Sequence, residues 1–90
     1  MSQFPEIMNV HVLFFAAHRE ALGVSRADIE LMEGATVRDL YRRLEEQHPQ
    51  LGHLRDYTSY AVNREMVDSS MVLHAGDEVA LLQPVSGGTT

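Results

Sequence analysis

The chain predicts a two-layer α+β domain, with one amphipathic helix lying across a mixed sheet. Three observations carry this. Residues 7–15, 25–32, 60–63 and 79–83 read as strands, by alternation or as short apolar runs. Residues 36–48 instead repeat their apolar positions at helical spacing. The links between these stretches are short and show no internal repeat, so the ninety residues make one small domain with one core.

In residues 7–15, Val10, Val12 and Phe14 share one face and His11, Leu13 and Phe15 the other. One face must be core. The second is apolar where Leu13 and Phe15 lie, which means burial under another element or an exposed partner-binding patch. Ala16 to Leu22 are good helix formers closed by Gly23, a residue suited to the left-handed helix end. His18, Arg19 and Glu20 are expected in solvent there. Residues 25–32 alternate, with Ala27, Ile29 and Leu31 on one side and Asp28, Glu30 and Met32 on the other. The short link back to the first strand predicts an antiparallel pair. Glu33-Gly34 then turns the chain.

Thr36 starts the main helix, and Asp39 three residues later completes a capping-box-like signal. Val37, Leu40, Tyr41, Leu44 and His48 form its inward stripe. Pro49 stops it, because the residue before a proline avoids helical geometry. Residues 50–59 look polar and irregular, anchored by Leu51 and Leu54. Tyr60 to Asn63 form a short strand, Arg64-Glu65 a hairpin tip, and Met66-Val67 the return. Asp68-Ser69-Ser70 turns again, and Met71-Val72-Leu73 is expected to pack. Gly76-Asp77 leads into the last strand, from which Pro84 passes into the tail Val85-Ser86-Gly87-Gly88-Thr89-Thr90. Residues 1–83 are thus the folded domain and 84–90 a flexible tail.

Composition excludes several functions. There is no cysteine, so disulfides, thiol catalysis and thiolate metal sites are absent. That absence and the lack of a signal-like leader in Met1 to Glu6 point to the cytoplasm. No stretch approaches the ~18 apolar residues of a membrane span. The formal net charge of −6 argues against nucleic acid, which requires a basic face, and suits docking on a basic protein surface. All seven basic residues are arginines. His11, His18, His48, His53 and His74 make no close i, i+4 pair, so no metal site is expected, and each reads as a surface or half-buried structural histidine. No serine sits in a nucleophile elbow and no glycine loop cradles phosphate. The chain carries no self-contained active site. Any chemistry falls to its own C-terminal carboxylate.

Five stretches in order resemble the small subunit of molybdopterin synthase, of the ubiquitin-like sulfur carriers. They are Val10 to Ala16 with Arg19-Glu20 and Gly23; Thr36 to Leu40; Ala61-Val62-Asn63; Gly76 to Ala80; and Pro84 to Gly88. The resemblance implies a ubiquitin-like β-grasp fold. It implies that a partner enzyme uses ATP to adenylate the terminal glycine, that a sulfur donor converts the acyl-adenylate to a thiocarboxylate, and that the large synthase subunit takes the tail into its active site. There the sulfur builds the dithiolene on cyclic pyranopterin monophosphate. On this resemblance Gly88 is the carrier residue and Gly87 the slim residue before it. Phe15, Met66 and Leu82, with Leu13 and Pro84, are the partner-facing apolar positions, and no cofactor is bound by the chain itself.

Glycine suits a closed channel because it has no Cβ. The tail departs from the family's pattern in two places. Leu82 and Gln83 stand where the family typically has an aromatic and a second proline. Thr89-Thr90 follow Gly88 and displace the carboxylate by roughly 7 Å, so their removal is expected to create the active form. Two other readings stand beside this one: a sulfur carrier of another pathway (thiamin, cysteine or tRNA thiolation) or protein modifier joined through Gly88, and a ubiquitin-like interaction module with an inert tail.

Overall fold

The computed structural model describes residues 6–83. In chain order these form β1 (Ile7–Phe14), α1 (Ala16–Leu22), β2 (Arg26–Met32), α2 (Val37–Gln47), a 3-10 helix (Pro49–Tyr57), β3 (Ser59–Val62), β4 (Glu65–Val67) and β5 (Glu78–Leu82). The expected tail, 84–90, lies outside the described residues.

Alternation sets the strands and the strands set the sheet. Met8, Val10, Val12 and Phe14 are buried on one face of β1, and Ile29 and Leu31 on the matching face of β2. The two strands pair antiparallel, Val10 opposite Ile29. The last strand returns to lie parallel to β1, Val12 opposite Val79. A parallel pair needs a long crossover, and here everything from β2 to β4 lies between the two strands. The resulting mixed sheet has the order β2-β1-β5-β3-β4.

Helix α2 closes one face. Its stripe of Val37, Leu40, Tyr41 and Leu44 is buried in one cluster with Val10, Val12, Val79 and Leu81. Each fully buried leucine there contributes roughly 1.5–3 kcal/mol relative to exposure. The start of α2 is fixed by a reciprocal cap. The Asp39 N–H donates to Thr36 Oγ1 at 3.2 Å, and the Thr36 N–H donates to the Asp39 carboxylate at 2.9 Å. Aspartate thus does the work usually given to Glu or Gln.

Three local expectations change. Residues 50–59 are not irregular: most belong to the 3-10 helix, which buries Leu51 completely and half-buries Leu54. A polar segment with two anchors has no helical stripe to reveal it. Of Met71, Val72 and Leu73, only Leu73 is buried; the other two are 40% and 43% exposed. The Val37 N–H donates to the Met71 carbonyl (2.9 Å) and the Leu73 N–H to the Ala35 carbonyl (2.8 Å). This extended pairing lets alternate side chains point inward, not all three. Finally, the β3–β4 hairpin tip is Asn63-Arg64, one residue earlier than the sequence suggested, since Val62 pairs with Glu65.

Candidate docking face and tail exit

The face of the sheet opposite α2 carries the apolar positions singled out in the sequence. Leu13 stands opposite Ala80 across the parallel β1–β5 pair. Ala80 stands opposite Ala61, and Ala61 opposite Met66. One row across four strands therefore reads Leu13, Ala80, Ala61, Met66. Leu82, two residues beyond Ala80, shares its face. Phe15, still extended at φ −127° and ψ 155°, continues the alternation beyond Leu13.

Exposure separates these residues. Phe15 is 42% and Met66 64% exposed. Leu13, Ala80 and Leu82 are half-buried, and Ala61 is buried. Leu82 is therefore less open than an exposed-patch expectation requires: it forms the floor of the strip between the more prominent Phe15 and Met66. Pro84, Gly87 and Gly88 lie outside the described residues.

A polar row borders the strip. Asp28, His11 and Glu78 are register neighbours across β2, β1 and β5. His11 Nδ1 lies 2.7 Å from the Asp28 carboxylate. The Glu78 N–H donates to the Asn63 side-chain oxygen at 3.0 Å, and the Asn63 amide donates to Asp77 at 3.0 Å. This water-facing row bounds the apolar strip, which lies toward the end of the sheet where β5 finishes at Leu82. Because β1 and β5 run parallel, with Phe14 opposite Leu81, Phe15 stands at that same end.

Two local features place Phe15 and Met66. Ala16 has φ 48°, a left-handed value unusual for alanine, and it turns the chain sharply from β1 into α1 directly behind Phe15. Asn63 and Arg64 have φ 51° and 73°, the pair of positive values that a tight two-residue hairpin needs, and this turn sets Met66 opposite Ala61.

His18 corrects a sequence expectation. It was expected in solvent and it has no exposed surface. Its Nε2 lies 3.3 Å from the Tyr41 hydroxyl and 3.1 Å from the Thr58 hydroxyl. Those hydroxyls already donate to the Leu51 carbonyl (2.8 Å) and the Leu54 carbonyl (2.6 Å). Nε2 must therefore carry the proton and donate, which leaves Nδ1 as a bare acceptor with no partner among the described residues. Burial pushes the imidazole below its ordinary pKa. Burial likewise raises the Tyr41 and Tyr60 hydroxyls above theirs. The i, i+4 spacing of His18 with Leu22, which packs against the core, was the available signal. Its reach into the core depends on the 3-10 helix beneath it. Among the described residues, no group of three or more His, Cys, Asp or Glu is placed to hold a metal ion, and no helix is long and apolar enough to cross a membrane.

Comparison with known proteins adds six findings. The profile of the ThiS family matches residues 12–88. The molybdopterin synthase sulfur carrier subunit of Chlamydomonas reinhardtii is 39% identical over 83 residues, covering 90% of this chain and 100% of the relative. The human protein of the same name is 35% identical over 85 residues, 91% of this chain and 97% of the relative. Among solved structures, the small archaeal modifier protein 1 of H. volcanii superposes with a TM-score of 0.78 at 28% identity, over 87% of this chain and 99% of that one. A chain in the complex of subunits 1 and 2 of the Helicobacter pylori molybdopterin-converting factor superposes at 0.63 with 26% identity, over 90% and 100%. A ubiquitin from Caldiarchaeum subterraneum superposes at 0.64 and 17% identity over 92% and 100%, a likeness of fold. The expected ubiquitin-like β-grasp arrangement is the one observed.

Proposed function

Since the chain belongs to the ThiS family, we propose that it is a sulfur carrier that serves a molybdopterin synthase in the cytoplasm, delivering sulfur from Gly88, made terminal by removal of Thr89-Thr90, to the large subunit. The observation that carries this is the Leu13–Ala80–Ala61–Met66 row, flanked by Phe15 and Leu82, at the end of the sheet where β5 leads into the Gly-Gly tail. A docking strip beside the tail exit lets one contact hold the domain while the tail enters a partner's active site. Ordering that tail costs conformational entropy, and burial of the strip offsets it.

The chemistry is confined to Gly88. Hydrolysis of the Gly88–Thr89 peptide bond first frees the Gly88 carboxylate, whose oxygen then attacks the α-phosphorus of ATP on an activating enzyme, releasing pyrophosphate and leaving an acyl-adenylate. A sulfur donor then forms a carbon–sulfur bond as AMP departs. The resulting thiocarboxylate gives its sulfur to the pterin precursor on the large subunit, building the dithiolene. No cysteine in the chain competes for the sulfur. Gly87 keeps the approach narrow, and Pro84 stiffens the start of the tail.

The test is the intact mass of a chain ending at Gly88 after incubation with an activating enzyme, ATP and a sulfur donor. Replacement of one oxygen by sulfur is expected, together with ATP–pyrophosphate exchange. A chain ending at Thr90 is expected to give neither. No mass change in either chain would leave the inert-module reading in its place. Likeness to the archaeal modifier protein favours a second reading, in which the activated Gly88 carboxylate is joined to an amine of another protein. Gel-shifted conjugates without dithiolene formation in a reconstituted synthase would select that reading.

A further inference from the structure

A second surface lies away from the docking strip. β2 is an edge strand, with no strand on its outer side among the described residues. Its inward bonds follow a fixed alternation. The Phe14 N–H donates to the Ser25 carbonyl and the Glu33 N–H to the Glu6 carbonyl, each at 2.9 Å. In an antiparallel pair such positions recur every second residue. The odd-numbered residues of β2 therefore bond to β1. The backbone N–H and C=O groups of Asp28 and Glu30, with the Met32 N–H, point outward, free to receive another strand; the Met32 carbonyl instead accepts from the Ala35 N–H at 3.1 Å.

Beside this edge runs a groove of about 460 Å³. Leu31 and Ala35 supply apolar lining on the strand side. The opposite wall is one stripe of α2, Asp39, Arg42, Arg43 and Glu46, at i, i+3, i+4 and i+7 spacing. Most of that wall's charge is internally matched. Arg43 pairs with Glu46 at 3.9 Å. Asp39 is held by the Thr36 N–H and hydroxyl, with Arg42 close enough to favour its ionised form. The strand side is not matched: Glu30 and Glu33 line the groove and form no ion pair among the described residues. The site is a free backbone edge, an apolar slot on the α2 side and, on the open face, the exposed carboxylates of Asp28 and Glu30.

We propose that the β2 edge binds an extended segment of a partner protein with alternating basic and apolar residues. The segment adds as an antiparallel strand through the outward N–H and C=O groups of Asp28 and Glu30 and the N–H of Met32. Its basic side chains lie across from Asp28 and Glu30 on the open face, as cross-strand neighbours of opposite charge. Its alternate apolar side chains enter the groove over Leu31 and Ala35. A second copy of this chain is a poor occupant, because two chains of net charge −6 repel. The groove lies at the β2 edge, while the docking strip runs toward β4 at the opposite edge, so both surfaces can be occupied together.

The probe is a capped heptapeptide of alternating lysine and valine, titrated into the full chain and followed by amide NMR. Expected are shifts and slowed hydrogen exchange at Asp28, Glu30 and Met32, with weaker binding in high salt. An alternating glutamate–valine peptide should not bind. Glu30→Pro removes an outward donor on an edge strand, which an edge tolerates, and should abolish binding while the thermal melt shows a folded domain. The double variant Asp28→Lys with Glu30→Lys leaves the backbone intact and should weaken binding about tenfold, two exposed ion pairs turned to repulsions. Phe15→Asp should leave peptide binding unchanged, which separates this surface from the docking strip. The proposal is overturned if both peptides bind alike, or if the shifts fall on Phe15 and Met66. It is equally overturned if binding appears only after removal of residues 1–5, which would give the groove to the chain's own N-terminus. Dimerisation through β2 on concentration would assign it to a second copy and overturn it too.

Discussion

His18 Nε2 lies 3.1 Å from the Thr58 hydroxyl, tying α1 to the residue that ends the 3-10 helix. Phe15 is the N-cap of α1 and its carbonyl accepts from the His18 N–H at 3.1 Å, so the residue with the exposed ring adjoins the helix that this buried bond holds. Four hydrogen bonds with settled donors run through the cluster, from the shared Nε2–H to the two hydroxyls and from the hydroxyls to the Leu51 and Leu54 carbonyls.

The first prediction concerns pH. The folded state lowers the His18 pKa from 6.5 by burial. As pH falls below about 6.5 the unfolded chain takes up a proton that the folded chain refuses. Stability should therefore fall with falling pH, at a limiting slope of ~1.4 kcal/mol per unit, until the folded imidazole also protonates. His18→Leu should remove this slope and cost about 0.5–1.5 kcal/mol at pH 7.5, since both hydroxyls keep their carbonyl partners. Urea melts of the two proteins between pH 7.5 and 5 read both effects. An unchanged slope in the variant would place the titration elsewhere.

Phe15→Asp tests docking. With the ring 42% exposed, the free domain should lose little stability. Binding to the large synthase subunit should weaken by about 2 kcal/mol or more, as for an aromatic anchor at an interface centre. Calorimetric titration beside a urea melt measures the two losses. Equal losses would make Phe15 a core residue.

Arg64→Gly should stabilise the domain by about 0.4–1 kcal/mol, because Arg64 holds φ 73° at a hairpin position that favours glycine. Thermal unfolding reads the gain, and a loss would mean that the arginine side chain makes a contribution larger than the backbone strain.

The cap of α2 has an acid signature. Bonds from Thr36 hold the Asp39 carboxyl below its usual range of 3.8. The stabilisation is fully present above that value and is lost as pH falls through the depressed folded-state pKa. Asp39→Ala should cost ~1 kcal/mol near neutral pH and lose this acid dependence, a window well separated from that of His18. Denaturant melts between pH 5 and 2.5 distinguish the variant from the parent chain.

Strand faces, the α2 stripe, the Thr36–Asp39 cap and the glycine closing α1 could all be read from the chain, because each rests on neighbours within four residues. The proposed Gly87-Gly88 chemistry likewise rests on the sequence, through the absence of side chains and family membership. Registers are different. Leu13 meets Ala80, and Ala61 meets Met66, only after segments distant along the chain have paired. The role of His18 also required the fold, since its partners Tyr41 and Thr58 come from other elements and the 3-10 helix that sets them has no periodic stripe. The same holds for the β2 groove. Its strand wall alternates visibly in the chain, but which edge of the sheet stays open is decided by where β5 inserts, and that choice depends on packing the whole core at once.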